Sequence, residues 1–487
     1  LNSSEDSLQF AAELHGQEQQ HHDPETLDLS ALDVYPMPPE FISVIFPFTS
    51  SESTTPSASK TPTSNPPADT DSKMDERPPE TLAAMDGDPN SSDSPLVQLP
   101  AELLHQILSY LSATDLAQVS AACRSLAEHA ANELLWADLL NAYLPFKILD
   151  PSPFDSFREL YAAYHPCWFI PQQKIWFSDT EHTGNLILAR YDPRRGVIEA
   201  YRVIAERRSR RFQVWESNPD VMVQPFDPKV SLWLDDPVLL LKNHGRLPRY
   251  LHGETRMPMA IETQHVFNAF SLCSSESPPM PVDPNKQWPP PTIPSDHRVY
   301  RDMEAQWSDW DQHPRRLAKM SEHAFRIRRW AHFRLGMPMF TAGRSETLST
   351  YATLDPGLYT PTREKPYQGI WVGDYSAHGC EFLLFLQRDI PRDRDEEQSS
   401  RPFDEPEHGS DQIIQKGSLE AIKLTGDPNV PRGQISFVAP DIGPEGIVRV
   451  AEEALFRGSR IVRSKGHVAG LGFRDGKLPI CFLMNIH

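Results

Sequence analysis

The sequence predicts an α+β chain: a disordered acidic N-terminal tail, a small three-helix bundle, then a mainly antiparallel β-barrel with an inserted helix and loops. Three observations predict it. Negative charge crowds the first fifth, apolar residues recur at helical spacing just after residue 98, and short alternating runs separated by turn residues fill the remainder.

Proline supplies 47 of the 487 residues, about twice its ordinary ~5% share. Apolar residues make up only 39%. Part of such a chain cannot bury enough surface to offset the entropy of ordering. Residues 1–94 hold 18 acidic and 3 basic residues, so 3 − 18 = −15 of the net −20 lies there. This stretch reads as a solvated tail, broken only by the apolar run Phe41–Phe48, a candidate short docking motif in an otherwise polar segment.

The acidic balance argues against nucleic acid as a partner, since phosphate binding needs clustered Lys and Arg. Cys123, Cys167, Cys273, Cys380 and Cys481 lie far apart without a CxxC pair, which disfavours a disulfide framework and a cysteine-rich zinc module. The expectations are a reducing compartment, cytoplasmic or nuclear, with no metal and no cofactor. No apolar run approaches the ~18 residues that span a bilayer. The sequence as given starts at Leu1 and shows no secretory leader, so no membrane association is expected.

Domain boundaries follow from composition: 1–94 tail, 95–145 helical module, 146–487 barrel with loops at 271–297 and 389–415. Leu99 precedes Pro100, which suits a first helical position because its missing N–H costs nothing there. Leu103, Leu104, Ile107, Leu108 and Leu111 then form one apolar stripe. Ser112 and Asp115 stand three apart as the start of a second helix, and a third runs over about 124–142. So small a bundle has little core and borrows burial from a partner or a neighbouring domain.

Strand text follows at 185–191, 197–204, 212–215 and 230–234, and again at 369–372, 381–387, 419–424, 434–438, 447–450 and 478–484. Eight prolines between Ser271 and His297 predict a long loop. Leu317, Met320, Ala324, Ile327 and Ala331 recur at spacings of 3 and 4 and predict the inserted helix over 315–335. Many short strands with few helices favour a barrel.

The pattern Leu99-Pro100, Ile107-Leu108, Tyr110-Leu111, Asp115-Leu116, Cys123-Arg124, Leu135-Trp136 resembles the F-box. That resemblance implies docking on the Skp adaptor of a Skp–cullin–F-box ubiquitin ligase through Leu99, Pro100, Leu103, Leu104, Ile107, Leu108 and Leu111. Further blocks, Phe157–Tyr161, Gly369–Glu381, Thr425–Gly433 and Gly466–Phe473, resemble the family of F-box-only protein thirty-one and its fungal relatives. The resemblance implies a non-catalytic substrate receptor whose barrel holds peptide degrons at protein C-termini, including a D-type cyclin tail and amidated ends. Two departures stand out. Arg207–Asp236 lacks the Cys and His of a zinc cluster found in animal members, so no metal is carried over, and those relatives continue past the final Gly-rich block.

Tyr375, His378, Gly379, Thr425, Gly426, Asp427, Asn429 and His467 are the candidate degron contacts. Glycine within strand text marks bulges or close backbone approach, which a chain-terminus pocket needs. Asp427 has two roles open. It either caps its own Pro428–Asn429 turn or accepts hydrogen bonds from an amide terminus. A free carboxylate would instead seek Lys423, Arg432, Arg463, Lys465, His378 or His467. Glu381 reads as a paired residue at a strand start. The run Arg207–Arg211 reads as a solvated hairpin tip, with a nuclear signal as its alternative. The rival from another class is a lipocalin-like small-molecule carrier. A hydrolase is disfavoured because no nucleophile stands in an elbow or triad setting.

Overall fold

The computed structural model describes residues 46–47, 95–207, 213–215, 218–223, 228–242, 251, 253–257, 259, 266–276, 283–301, 313–331, 347–375, 379–389, 416–452, 458–468, 470 and 472–480. Nearly all of 1–94, most of the Arg207–Arg211 run, His378, most of the charged 389–415 segment and Cys481 lie outside them.

Helix α1 (Ala101–Leu108) begins after Pro100, which occupies the N-cap, one position earlier than its sequence role implies. Helix α2 (Ala113–Ser120) is capped by Ser112, whose Oγ accepts from Asp115 N at 3.2 Å and donates to Asp115 Oδ2 at 2.7 Å. The predicted third helix is two: α3 (Arg124–Ala130) and α4 (Glu133–Asn141). Asn132 breaks it, because its side-chain oxygen accepts from Leu134 N at 2.9 Å and so starts a new helix. Helices α5 (Phe157–Tyr164) and α6 (Phe169–Gln173) carry the chain towards the sheets.

The strands in chain order begin with β1 (Phe46–Pro47), β2 (Ile175–Ser178), β3 (Leu186–Asp192), β4 (Val197–Arg207), β5 (Gln213–Trp215), β6 (Asn218–Val223) and β7 (Pro228–Trp233). There follow β8 (Leu239–Lys242), β9 (Thr255–Met257), β10 (Val266–Ser274), β11 (Gln287–Trp288), β12 (Val299–Tyr300), β13 (Met320–Ala331) and β14 (Thr347–Thr353). After a short helix α7 (Pro356–Tyr359) come β15 (Gly369–Asp374), β16 (Cys380–Arg388), β17 (Ser418–Lys423), β18 (Ile435–Ala439), β19 (Ile447–Val450), β20 (Arg460–Val468) and β21 (Gly472–Ile480). They form two large antiparallel sheets shaped as half-barrels. One has the order β7-β4-β3-β2-β14-β13-β10-β9 with β8 beside β4, the other β1-β15-β16-β17-β18-β20-β19 with β21 beside β20.

Side-chain alternation explains the layering. In β2, Trp176 faces the helices while Ile175 and Phe177 face the second sheet. In β16, Phe382, Leu384 and Leu386 face the first sheet, and Leu383 and Phe385 point to the opposite, inner face with Trp371 and Val462. Strands covered on both sides lose the polar–apolar alternation and read as apolar runs. The helical module shares one apolar cluster with the first sheet, from Leu104, Leu116 and Leu140 through Trp168 to Phe270 and Phe325. The bundle therefore borrows its burial from within the chain.

Two expectations are corrected. The helix predicted over 315–335 is strand β13, paired with β10 on one side and β14 on the other. Ala324 and Ile327 fit a helical period, but Ala324, Phe325, Arg326 and Ile327 are all buried in succession, the mark of a central strand covered on both faces. Tertiary pairing here outweighs local spacing. The loop predicted over 271–297 is shorter at its start, since β10 runs to Ser274, and the proline-rich part carries Trp288, a fully buried member of the core between the sheets.

Candidate functional site

Along β17, Leu419, Ala421 and Lys423 share the inner face of the second sheet; along β16, Glu381 precedes Leu383 and Phe385 on that same face. Leu383 pairs with Lys423, which sets Glu381 diagonally beside the lysine. The apolar inner face thus ends in a polar cluster. Lys423, only 1% exposed, brings Nζ to 2.7 Å from Glu381 Oε2 and 3.5 Å from Asp427 Oδ2. The same ammonium stands 4.1 Å from the centre of the Tyr375 ring. Tyr375 OH meets Ser436 Oγ at 2.5 Å. Ser436 is the extra residue of a β-bulge, for Ala421 pairs with Phe437 and Ile422 with Ile435. Such bulges re-aim a side chain out of the ladder.

Two carboxyls around one ammonium cannot all be charged cheaply. Burial pushes the Glu381 carboxyl up to about 7, against the pull of Lys423 and with a further push from Asp427. Burial alone would raise Asp427 too. The N–H groups of Asn429 and Val430, then Lys423 and Glu381, outweigh it and hold Asp427 below its ordinary value. Glu381 Oε1 is buried without a hydrogen-bond partner among the described residues. Tyr375 is raised, first by burial. Near neutrality the cluster is one Lys–Asp ion pair beside a carboxyl that readily takes a proton.

The Thr425–Gly433 block faces this cluster and also reaches the first sheet. Thr425 Oγ1 accepts from Phe382 N at 2.9 Å, joining the two candidate blocks. Gly426 N donates to Thr183 O at 2.7 Å, and Arg432 N to His182 O at 2.9 Å. A Cβ on Gly426 would lie 2.6 Å from Arg432 N, so only glycine allows this approach. Arg432 donates its guanidinium to the carbonyls of Asp179 and Thr180 and lies 4.5 Å over the Trp288 ring. Burial lowers it to about 10.

The structure distributes the predicted residues unevenly. Tyr375, Thr425, Gly426 and Asp427 come together at this end of the inner face. Asp427 takes the first of its two roles: Oδ1 accepts from Asn429 N at 2.6 Å and Val430 N at 3.1 Å, and the residue is 8% exposed. Asn429 itself is exposed at the loop tip. Gly379 sits at φ +92 in the β15–β16 turn, with open space where a side chain would go. His378 lies outside the described residues. His467, on β20, stacks on Phe473 at 5.1 Å and is no part of the ion cluster. Lys423 and Arg432, named as partners for a free carboxylate, already have partners within the chain. Ser436 is the residue sequence reasoning missed. Lys423 at inner parity in the run Leu419–Leu424 was the available signal for a buried charge.

On the helical module the predicted stripe divides. Leu104 and Leu108 are 0% and 4% exposed and belong to the chain's own core, a correction to their assignment as docking residues. Leu103 and Ile107 are 49% and 44% exposed, and Tyr110 extends their side of α1 at 81%. Pro100 is exposed, while Leu99 and Leu111 are half-buried. The stripe is wide enough that one edge packs inwards while the other faces solvent.

Residues 96–142 match the family model described as F-box-like. The chain carries an F-box-like domain. Residues 351–484 match the model described as cyclin D1 binding domain, a span that takes in α7, strands β15–β21 and the whole Glu381–Lys423–Asp427 cluster. The chain is also similar to Protein EXECUTER 2, chloroplastic, of Arabidopsis thaliana, 30% identical over 169 residues. That similarity covers 33% of this chain and spans 23% of the relative's length.

Proposed function

We propose that this chain is the substrate-recognition subunit of a Skp–cullin–F-box ubiquitin ligase, related to the F-box-only protein thirty-one family. The observation that carries the reading is the row Leu103 and Ile107 on α1 with Tyr110 just after it, exposed within the span that matches the F-box-like model. Exposed apolar side chains on a helix whose other edge is fully packed mark a protein-docking face. The chain has no catalytic role in this reading. It brings a target close to the charged conjugating enzyme, and proximity lets transfer proceed. Its place of action is the cytoplasm or nucleus.

The second half of the reading is that the β15–β21 region holds C-terminal peptide degrons, a D-type cyclin tail among them, for ubiquitination and degradation. Two features support it: the match of 351–484 to the cyclin D1 binding domain, and the bond from Phe382 N to Thr425 Oγ1 that ties the start of β16 to the 425–433 loop at one end of a polar-tipped face. Since the Asp427 and Thr425 side chains hold the loop, contacts to a terminus come from loop backbone, Asn429 and the Gly379 turn. A lipocalin-like carrier, the alternative, has no observation that favours it.

The test is copurification of the full chain with a Skp adaptor. Wild type is expected to form a stable complex and Ile107→Asp to lose it, because a charge enters an apolar interface. Undiminished complex with Ile107→Asp would overturn the adaptor reading. Calorimetry with a D-type cyclin C-terminal peptide, as acid and as amide, tests the degron half separately; no binding of either form would overturn it.

A further inference from the structure

Strand β15 (Gly369–Asp374) is covered on both faces. Ile370 and Val372 belong to the core between the sheets, and Trp371 to the cluster on the inner face. One lateral edge is paired along its whole length with β16, and the other meets β1, Phe46–Pro47. Beyond β1 the sheet has no further strand among the described residues. This tail strand comes from within Phe41–Phe48, the apolar run that interrupts an otherwise polar, acidic segment.

The register explains why this segment suits the edge. Phe46 lies opposite Val372 and Pro47 opposite Trp371 in an antiparallel ladder. Residues opposite one another alternate between pairs that exchange two N–H···O bonds and pairs that exchange none. Pro47 has no N–H to give, so the bonded pair is Phe46–Val372 and Pro47 takes the non-bonded position. There its ring nitrogen faces away from β15 and denies a further strand a donor. The same register sets the N-terminal end of β1 towards Asp374 and Tyr375, at the polar end of the inner face. An open strand edge invites pairing with another segment, and main-chain bonds then supply the affinity. We propose that the β15 edge is a strand-addition site for an extended apolar peptide, and that the chain's own tail strand is its resident occupant. Any other strand reaching this edge must displace it. Two residue pairs make a weak complex in trans, but a tether within one chain supplies an effective concentration of ~1 mM. The proposal does not rest on the ligase reading, since neither the adaptor nor a degron enters it.

Amide hydrogen exchange at Val372, whose N–H donates to Phe46 O in the bonded pair, tests it in the full chain. Deleting residues 41–48 should speed exchange at Val372 by ~10-fold. Phe46→Pro, which removes the N–H that Val372 O accepts, should do the same, whereas Pro47→Ala, at the non-bonded position, should retain wild-type protection. A synthetic peptide of residues 41–48 should bind the deletion variant with Kd near ~0.1 mM and restore protection at Val372. It should bind wild type ~10-fold more weakly, because the edge is already filled. Protection in wild type should not vary with protein concentration; a rise with concentration would hand the edge to the tail of a second copy and overturn the resident assignment. Unaltered exchange at Val372 in both the deletion and Phe46→Pro variants would overturn the proposal. So would equal affinity of the peptide for wild type and the deletion variant, or no binding to the latter by ~10 mM.

Discussion

Replacing Glu381 by Gln should leave the second sheet as stable as wild type or more stable at pH 8, although it deletes one side of a buried 2.7 Å ion pair. The reasoning starts from charge count. Lys423 supplies one positive charge, and Asp427 with Glu381 supplies two negative ones once Glu381 ionises. The Glu381 carboxyl titrates at about 7 in the fold against an ordinary 4.5. Its folded-state value is raised, so the native state takes up the proton more readily than the unfolded chain. Stability therefore falls as pH rises from about 4.5 through about 7, and the loss is complete above that. At 1.36 kcal/mol per unit the shift corresponds to roughly 3 kcal/mol.

Gln copies the protonated state. Its carbonyl can accept from Lys423 and its amide can donate to Asp427, with no charge left to desolvate. Lys423→Met does the opposite, stranding two buried carboxyls, and should cost ~3–5 kcal/mol at pH 8 and less at pH 5.5, where Glu381 is neutral. Native-state hydrogen exchange at the amides of β16 and β17, with each variant compared to wild type at one pH, reads both effects locally. Wild type should lose protection relative to Glu381→Gln between pH 5.5 and 8. A Glu381→Gln protein that loses as much protection as Lys423→Met at pH 8 would refute the charge argument and make the Glu381–Lys423 pair an ordinary stabilising ion pair.

Three other outcomes follow from the same geometry. Leu104→Ala should destabilise the helical module by ~2–5 kcal/mol, because Leu104 is fully buried; thermal unfolding should show this, while Leu103→Ala, at a half-exposed neighbour, should change the midpoint little and weaken adaptor binding instead. Asp427→Ala should loosen the 428–433 turn by ~1–2 kcal/mol through loss of its bonds to Asn429 N and Val430 N, read as faster exchange at those two amides; Asp427→Asn, which keeps an acceptor, should retain most of their protection. Gly426→Ala should break the Gly426–Thr183 backbone bond for lack of room, which limited proteolysis of the 425–433 loop would report.

How far the sequence speaks depends on whether a residue's environment is local. The start of α2 was legible because Ser112 and Asp115 satisfy each other within one turn. Strands β3, β4, β15, β16 and β17 were legible because apolar residues cluster between turn residues. Strand β13 was not, since 3–4 spacing and strand burial are both compatible with its apolar positions and only its two ladder partners decide. Asn132 escaped notice as a break because a polar residue inside an apolar period reads as a solvent-facing position. In the candidate site, glycines and turn residues marked the two blocks from which Tyr375, Glu381 and Asp427 come together round Lys423. The pairing of Lys423 with Glu381 depends on a register between β16 and β17 that nothing local dictates. Ser436 depends on a bulge whose position appears only once both strands are aligned.

The shared core bears directly on how a receptor of this kind would work. Leu104 and Leu108 of α1 belong to the same apolar cluster as Trp176 of β2 and Phe325 of β13, and β2 presents its alternate residues, Ile175 and Phe177, to the core between the two sheets. A hinge between the F-box-like helices and the first sheet would have to open that cluster, at a cost of ~1.5–3 kcal/mol for each large side chain exposed. The exposed row Leu103, Ile107 and Tyr110 and the polar end of the inner face are therefore held by one continuous packed body. The loop contacts Gly426–Thr183 and Arg432–His182 add a second tie, between the 425–433 block and the β2–β3 connection. In the proposed ligase such rigidity keeps a bound degron at a fixed distance from the docked adaptor, and effective concentration at the acceptor lysine rests on that distance being maintained.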